Sequence, residues 1–177
     1  MRFAQLHPER CSHLILFSST SFQRWPSIAL KLGTYVAFNP FMEKYTWTVV
    51  RWALRTFPKV VTERLFASLT TLNAREVLAS YTHQARKEIF DLFMDFRSGG
   101  FVNDISSRAC RGDASAISAS TLIVHSKFDR QVEMHHASVL AQEIPNARLM
   151  ISETESHLMW MSPYWVKVEQ ELNRFLS

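Results

Sequence analysis

The C-terminal part of the sequence alternates between segments typical of strands and segments typical of helices. Ser120–Ser126 (STLIVHS) and Ala147–Ser152 (ARLMIS) are short apolar runs that predict strands. Residues 133–144 and about 163–176 carry apolar side chains at helical spacing. Strand, helix, strand, helix in this order predicts parallel strands joined by right-handed crossovers. The chain is therefore expected to have an α/β fold.

The N-terminal residues predict one more strand of the same sheet. Residues 1–6 have the spacing of a short helix, which the pair His7-Pro8 ends. Residues 13–19 (HLILFSS) form an apolar run rich in strand formers and closed by two serines. This run is typical of a buried parallel strand.

The middle of the chain, residues 21–107, has a different character. It is rich in aromatic residues and has helical spacing without a strand pattern, broken by three prolines, Pro26, Pro40 and Pro58. The pair Gly99-Gly100 predicts a turn that leaves this block. We therefore divide the chain into a core, residues 1–20 and 108–177, and a helical insertion, residues 21–107.

Composition and charge argue against several classes of function. At 177 residues and 47% hydrophobic, the chain is long enough for one domain or a large piece of one. The formal charge of +4 comes from basic residues scattered among acidic ones, unlike the basic stripe of a nucleic-acid binder. The two cysteines, Cys11 and Cys110, support neither a disulfide framework nor a zinc ribbon. With no pattern of a signal peptide or membrane span, we expect a cytoplasmic protein without nucleic-acid or membrane partners.

Two titratable residues follow the last two predicted strands. Asp129 lies three residues after Ser126, and His157 lies five residues after Ser152. Reactive groups gather beyond the carboxyl ends of parallel strands, so neighbouring strands would bring this carboxylate and imidazole together. A carboxylate that accepts from one ring nitrogen fixes the tautomer of a histidine that takes a proton on the other. The pair predicts half of a nucleophile-activating triad, although a helix cap and a surface histidine also fit these positions.

This order of elements resembles the C-terminal part of the α/β-hydrolase family. Residues 121–160 contain its strand, acid loop, helix, strand and histidine loop in the same order, and FAQLHPERC followed by HLILFSS is similar to the helix after the nucleophile turn and the next strand. RSGGFVNDI and SHLMWMSPYW are similar to segments of bacterial carboxylic-ester hydrolases. The resemblance implies a partial α/β-hydrolase fold: three C-terminal parallel strands, flanking helices and an inserted helical lid.

The same resemblance implies roles for two residues. Asp129 is expected to be the triad acid and His157 the general base, acting on a small carboxylic ester without a cofactor or a metal. Ser126 and Ser156 stand where the family usually has glycine. The chain has no G-x-S-x-G motif, so we expect the nucleophile in a segment that precedes Met1 and expect this chain to be inactive alone.

Two other functions stay open at this point. A non-catalytic protein that binds a ligand or a partner would have kept the same fold. A haloalkane or epoxide hydrolase would carry an aspartate nucleophile in the same turn. The sequence alone does not identify residues that bind the substrate.

Other polar residues near the predicted strands are expected to be structural. Ser18 and Ser19 end the first strand on its reactive side but are not on a strained turn that exposes a nucleophile, so we predict a pocket wall or a helix cap. His135 and His136 are expected on a helix surface, because adjacent positions do not provide the spacing of a metal site. His125, within an apolar strand, is expected in the core or at a pocket edge.

The predicted sheet has an unpaired edge. If the preceding part of the fold is absent, residues 13–19 lose the neighbour on one side. Exposed edges of this kind pair with other chains, and uncovered apolar surface promotes association. We therefore expect the isolated chain to self-associate.

Overall fold

The computed structural model describes residues 1–22, 42–97 and 113–177. Three sequence predictions lie outside these residues: the helix breaks at Pro26 and Pro40 and the turn at Gly99-Gly100. The chain divides into two compact units. The first comprises Met1–Gln23, Ser68–Asn73 and Cys110–Ser177, and the second comprises Arg24–Ala67 and Ala74–Ala109.

The first unit is built on a parallel sheet of three strands in the order β1-β2-β3. The strands are β1 (His13–Phe17), β2 (Ser120–Ser126) and β3 (Ala147–Ser152). In the central strand, Ser120 lies opposite His13 of β1 and Thr121 lies opposite Ala147 of β3. The predicted fold class, a partial α/β fold with three parallel strands and flanking helices, is confirmed.

Helices account for most of the remaining described residues. In chain order they are α1 (Arg2–Leu6), α2 (Glu43–Thr56), α3 (Pro58–Phe66), α4 (Ala74–Ser80), α5 (His83–Asp95), α6 (Met134–Glu143) and α7 (Trp165–Leu176). Short 3-10 turns lie at Pro8–Arg10, Ala114–Ala116 and Met159–Met161. In the described ranges, no helix is both long enough and apolar enough to cross a bilayer.

The core of the first unit covers both faces of β2. On one face Ile123 belongs to a buried cluster with Leu16 of β1 and Ala137 and Leu140 of α6. On the other face the cluster consists of Leu122, Val124, Met159 and Val168. Because both faces are covered, β2 is a continuous apolar run rather than an alternating one, as the sequence shows.

The edges of the sheet differ from its centre. Among the described strands β1 pairs only with β2, and its four residues other than the buried Leu16 are partly buried or exposed. The predicted strand of residues 13–19 ends two residues earlier, at Phe17. Self-association through this edge stays a prediction.

The second unit consists of helices α2 to α5 in the described residues. Their buried side chains include Leu54, Phe66, Ile89 and Phe93. Pro58 occupies the first turn of α3, where its missing N–H costs nothing. Thr82 caps α5, and its hydroxyl accepts from the Ala85 N–H at 3.1 Å. The role of this unit as a lid stays a prediction.

Candidate active site

Two loops at the carboxyl ends of β2 and β3 bring Asp129 and His157 into contact. The Nδ1 of His157 donates to the Oδ2 of Asp129 at 2.7 Å. The Asp129 side chain is fully buried, whereas the His157 side chain is 31% exposed. The structure thus joins the two residues singled out in the sequence, and their catalytic roles stay a prediction.

The loop after β2 fixes the orientation of the Asp129 carboxylate. Its Oδ1 accepts from the backbone N–H groups of Gln131 at 2.7 Å and Val132 at 3.0 Å. Burial raises the pKa of Asp129, but the hydrogen bond and charge of His157, together with the Val132 N–H, outweigh this effect and lower the pKa. Asp129 is therefore an ionised carboxylate at neutral pH.

The ionised carboxylate determines the tautomer of His157. An ionised carboxylate only accepts hydrogen bonds, so the proton between the two side chains belongs to Nδ1 of His157. The other ring nitrogen, Nε2, has no hydrogen-bond partner in the part of the chain that the structure describes. A neutral imidazole in this tautomer can take a proton on Nε2.

The two serines that replace family glycines have structural roles in the loops. Ser126 is 1% exposed, and its hydroxyl donates to the Thr154 carbonyl and accepts from the Phe128 N–H at 3.1 Å. Ser156 is fully buried, and its hydroxyl oxygen accepts from the Leu158 N–H at 3.2 Å. These departures from the family pattern are compatible with the loop geometry because each hydroxyl satisfies a backbone N–H.

A segment that the sequence did not indicate holds both loops. We call Ser68–Asn73, which lies between α3 and α4 in sequence and belongs to the first unit, the strap. The carbonyl of Leu69 accepts from the His157 N–H at 2.9 Å and from the Arg130 N–H at 3.4 Å. One backbone group of the strap therefore contacts both the acid loop and the histidine loop.

Thr70 provides the second connection of the strap. It forms an antiparallel bridge with Asp129, and its fully buried hydroxyl donates to the carbonyl of Glu155. The only signal in the sequence is the pair Thr70-Thr71, two strand-favouring residues between helical patterns. That signal is too weak to identify a contact with loops more than fifty residues away in sequence.

Glu155 is a buried acidic residue that the sequence analysis also missed. It is 8% exposed, and its Oε2 accepts from the hydroxyl of Ser162. The Ser162 hydroxyl oxygen in turn accepts from the Tyr164 N–H at 3.0 Å. This chain of contacts links the histidine loop to the residues that precede α7.

The expected surface position of His136 is wrong. His136 is 1% exposed, and its Nδ1 accepts from the Ser21 N–H at 3.2 Å and lies 2.8 Å from the Ser21 hydroxyl. It lies one helical turn before Leu140, on the face of α6 that packs onto the sheet. The side chain of His135 is half exposed, and its Nδ1 lies 3.2 Å from Oε2 of Glu133. The described residues contain no group of three side chains suited to a metal ion.

His125 is a core histidine, which is one of the two positions expected for it. It is fully buried, and one ring nitrogen, Nε2, donates to the Val132 carbonyl at 3.1 Å. Its Nδ1 has no partner among the described residues. Burial lowers the pKa of His125, with the neighbouring His157 acting in the same direction and Asp129 in the opposite one.

Because His125 and His136 are buried, we expect the protein to lose stability in mild acid. Burial lowers the pKa of both His125 and His136 below the ordinary value of 6.5. As the pH falls below about 6.5, the unfolded chain therefore binds protons before the folded chain does. Their contribution to stability is complete above about pH 6.5 and is lost as the pH falls through the lowered folded-state pKa values.

Urea unfolding of the whole chain between about pH 8 and about pH 5 measures this loss. His136→Gln is expected to reduce the slope of unfolding free energy against pH. His135→Gln, at the adjacent half-exposed position, serves as the control and should keep the slope of the parent chain. Equal slopes in the parent and His136→Gln would contradict a pH-sensitive role for His136.

Solved structures identify the architecture around this pair. A protein described as an alpha/beta hydrolase fold protein, from Nakamurella multipartita, matches 99% of this chain and 64% of its own, with a TM-score of 0.69 and 17% identity. A thermophilic esterase from Thermogutta terrifontis matches 98% of this chain and 58% of its own, with a TM-score of 0.63 and 19% identity. The chain has a partial α/β-hydrolase fold. The partial α/β-hydrolase fold implied by the sequence is thereby confirmed.

A sequence relative of this chain is described as a hydrolase. The "Uncharacterized hydrolase YcgS" of Bacillus subtilis (strain 168) is 27% identical to this chain over 165 residues, which are 90% of this chain and 57% of the relative. No family model matches the chain. The chain thus spans less than two thirds of the length of this relative and of the two solved structures above.

Proposed function

We propose that the protein hydrolyses small carboxylic esters and that this chain supplies the acid and the base of the catalytic triad. The observation that supports this most strongly is the 2.7 Å hydrogen bond from Nδ1 of His157 to the buried carboxylate of Asp129. The similarity to a thermophilic esterase supports an ester as the substrate class. The nucleophile is a serine in a segment that precedes Met1.

In the proposed mechanism, each of the two residues has a distinct step. Nε2 of His157 takes the proton of the serine hydroxyl while the serine oxygen attacks the ester carbonyl. Asp129 stabilises the imidazolium that forms and keeps the ring in place. His157 then returns the proton to the leaving alcohol, which gives an acyl-enzyme and an alcohol. Water, activated by the same nitrogen, hydrolyses the acyl-enzyme to the acid and free serine.

The different exposure of the two side chains suits these steps. Asp129 is shielded from water, which keeps its attraction for the imidazolium strong. His157 is partly exposed, so its Nε2 can exchange protons with a nucleophile and a substrate. The strap and the loop serines hold the two loops in register, which keeps the donor and acceptor at hydrogen-bond distance.

Two facts support the placement of the nucleophilic serine outside this chain. It contains no G-x-S-x-G motif. The chain also spans only 57% of the length of its Bacillus relative. Both facts support a longer protein in which a preceding segment carries the nucleophile and the oxyanion hole.

The test compares this chain with a version extended at its N-terminus by the preceding coding sequence. We expect the extended protein to hydrolyse p-nitrophenyl acetate and p-nitrophenyl butyrate, with inactivation by phenylmethylsulfonyl fluoride, and this chain to be inactive. Retention of activity after that treatment would point to an aspartate nucleophile. Turnover by this chain alone that disappears in His157→Gln would refute the assignment of the nucleophile to a preceding segment.

A further inference from the structure

Ser18 has an unusual backbone conformation at the end of β1. Its φ is +39°, and among the described residues it is the only non-glycine residue with a positive φ. Its N–H donates to the carbonyl of Val124 at 2.9 Å, which continues the β1–β2 ladder by one bond beyond Phe17. A left-handed backbone at a non-glycine residue is costly and persists only where its surroundings hold it in place.

The side chain of Ser18 is unusual as well. The residue is 7% exposed, and its hydroxyl oxygen is buried without a hydrogen bond of good geometry to any described residue. A buried hydroxyl without a partner is destabilising, so such a group generally has a nearby acceptor. Strain and burial at one residue together suggest that the position of this hydroxyl matters.

The Asp129 carboxylate is the acceptor that the structure offers. Its Oδ1 accepts two backbone N–H groups and its Oδ2 accepts the His157 ring, whereas a carboxylate has about four acceptor positions. Burial raises the pKa of Asp129, and the groups that lower it are His157, the Val132 N–H and the Ser18 hydroxyl. Ser18 bonds to Val124, two residues before the end of β2, and Asp129 follows that end, so both side chains belong to the same edge of the sheet.

We propose that Ser18 is a positioning residue whose buried hydroxyl donates to the remaining acceptor position of the Asp129 carboxylate. This bond would come from β1, whereas the other donors come from the loops after β2 and β3. The carboxylate then accepts hydrogen bonds from segments that follow each of the three strands. The importance of this bond for catalysis rests on the proposed function, but the bond itself does not.

A carboxylate held in this way keeps both its charge and its direction. Each hydrogen bond to the ionised form favours ionisation in a buried site. Among the described residues, the titratable groups that interact with Asp129 are His157, which bonds to it, and His125, where the charge of Asp129 opposes the lowering of the pKa by burial. The Ser18 hydroxyl has no charge, so its contribution can be separated from theirs by substitution.

Titration of the Asp129 carboxyl carbon by NMR tests the proposal on this chain without an activity assay. Ser18→Ala and Ser18→Gly both remove the hydroxyl, so both are expected to shift protonation of Asp129 to higher pH. Ser18→Asn, which tolerates a positive φ and supplies an N–H donor, should return the titration toward that of the parent chain. Ser19→Ala is the matched control, because the Ser19 hydroxyl donates to the Phe17 carbonyl instead.

Thermal unfolding of the same variants separates backbone strain from the hydrogen bond. Glycine accepts a positive φ without strain, so Ser18→Gly should melt at a higher temperature than Ser18→Ala although the two shift Asp129 in the same direction. The glycine variant also keeps the test decisive if the alanine variant fails to fold. Protonation of Asp129 at the same pH in the parent chain and Ser18→Gly would overturn the proposal. A shift in these variants together with an inactive extended protein would reject the proposed function and leave the bond standing.

Discussion

Replacing Asp129 with asparagine is expected to lower kcat of the extended protein by about 10⁴-fold without disrupting the loop. The Oδ1 of asparagine can still accept the N–H groups of Gln131 and Val132. Its Nδ2 amide then faces Nδ1 of His157 in place of a carboxylate oxygen. The imidazole consequently carries its proton on Nε2, where it can no longer accept one from the nucleophile.

The measurement is ester hydrolysis by the extended protein at neutral pH, with an unfolding curve for each variant. Asp91→Asn is the matched control, because Asp91 is an exposed carboxylate on α5 that pairs with Lys87 at 2.5 Å. That variant should keep its activity, since exposed ion pairs contribute little even to stability. If Asp129→Asn is folded and as active as the parent, Asp129 is not the triad acid.

Ile123→Ala is expected to destabilise the protein by about 2–5 kcal/mol. Ile123 is fully buried at the centre of β2 and packs against Leu16, Ala137 and Leu140. The shortened side chain leaves a cavity between the sheet and α6, because close-packed neighbours relax only in part. Urea unfolding of this chain measures the loss of unfolding free energy.

The control for that substitution lies on the neighbouring strand. Ile151 of β3 is 54% exposed, so Ile151→Ala removes the same atoms from a site that is already half in water. Its cost is expected to be below about 1 kcal/mol. Similar losses for the two variants would show that the face of β2 bearing Ile123 is not the packed core of this unit.

The parts of the fold that the sequence predicted well depend on local patterns. β2 and β3 have the predicted bounds, because each is a short run of mainly apolar, strand-favouring residues that ends at a serine. The contact between Asp129 and His157 followed from one further rule, that loops after adjacent parallel strands meet at the same edge. Both inferences require only neighbours in the sequence and the order of the strands.

The features that escaped prediction depend on distant residues. The buried His136 bonds to Ser21, which lies more than one hundred residues away in sequence. The strap escaped because the contacts of Leu69 are made by its backbone carbonyl, which has no side-chain signature. The positive φ of Ser18 is imposed on an ordinary serine by its surroundings rather than by its own preference.

The strap also has a consequence for transplanting the helical unit between related proteins. The sequence predicts residues 21–107 as a single insertion, but Ser68–Asn73 within that stretch belongs to the other unit. Excising the stretch as one block would remove the Leu69 carbonyl on which the acid loop and the histidine loop both depend. A functional graft would have to exchange residues 24–67 and 74–109 as two pieces and keep the recipient's own six residues between them.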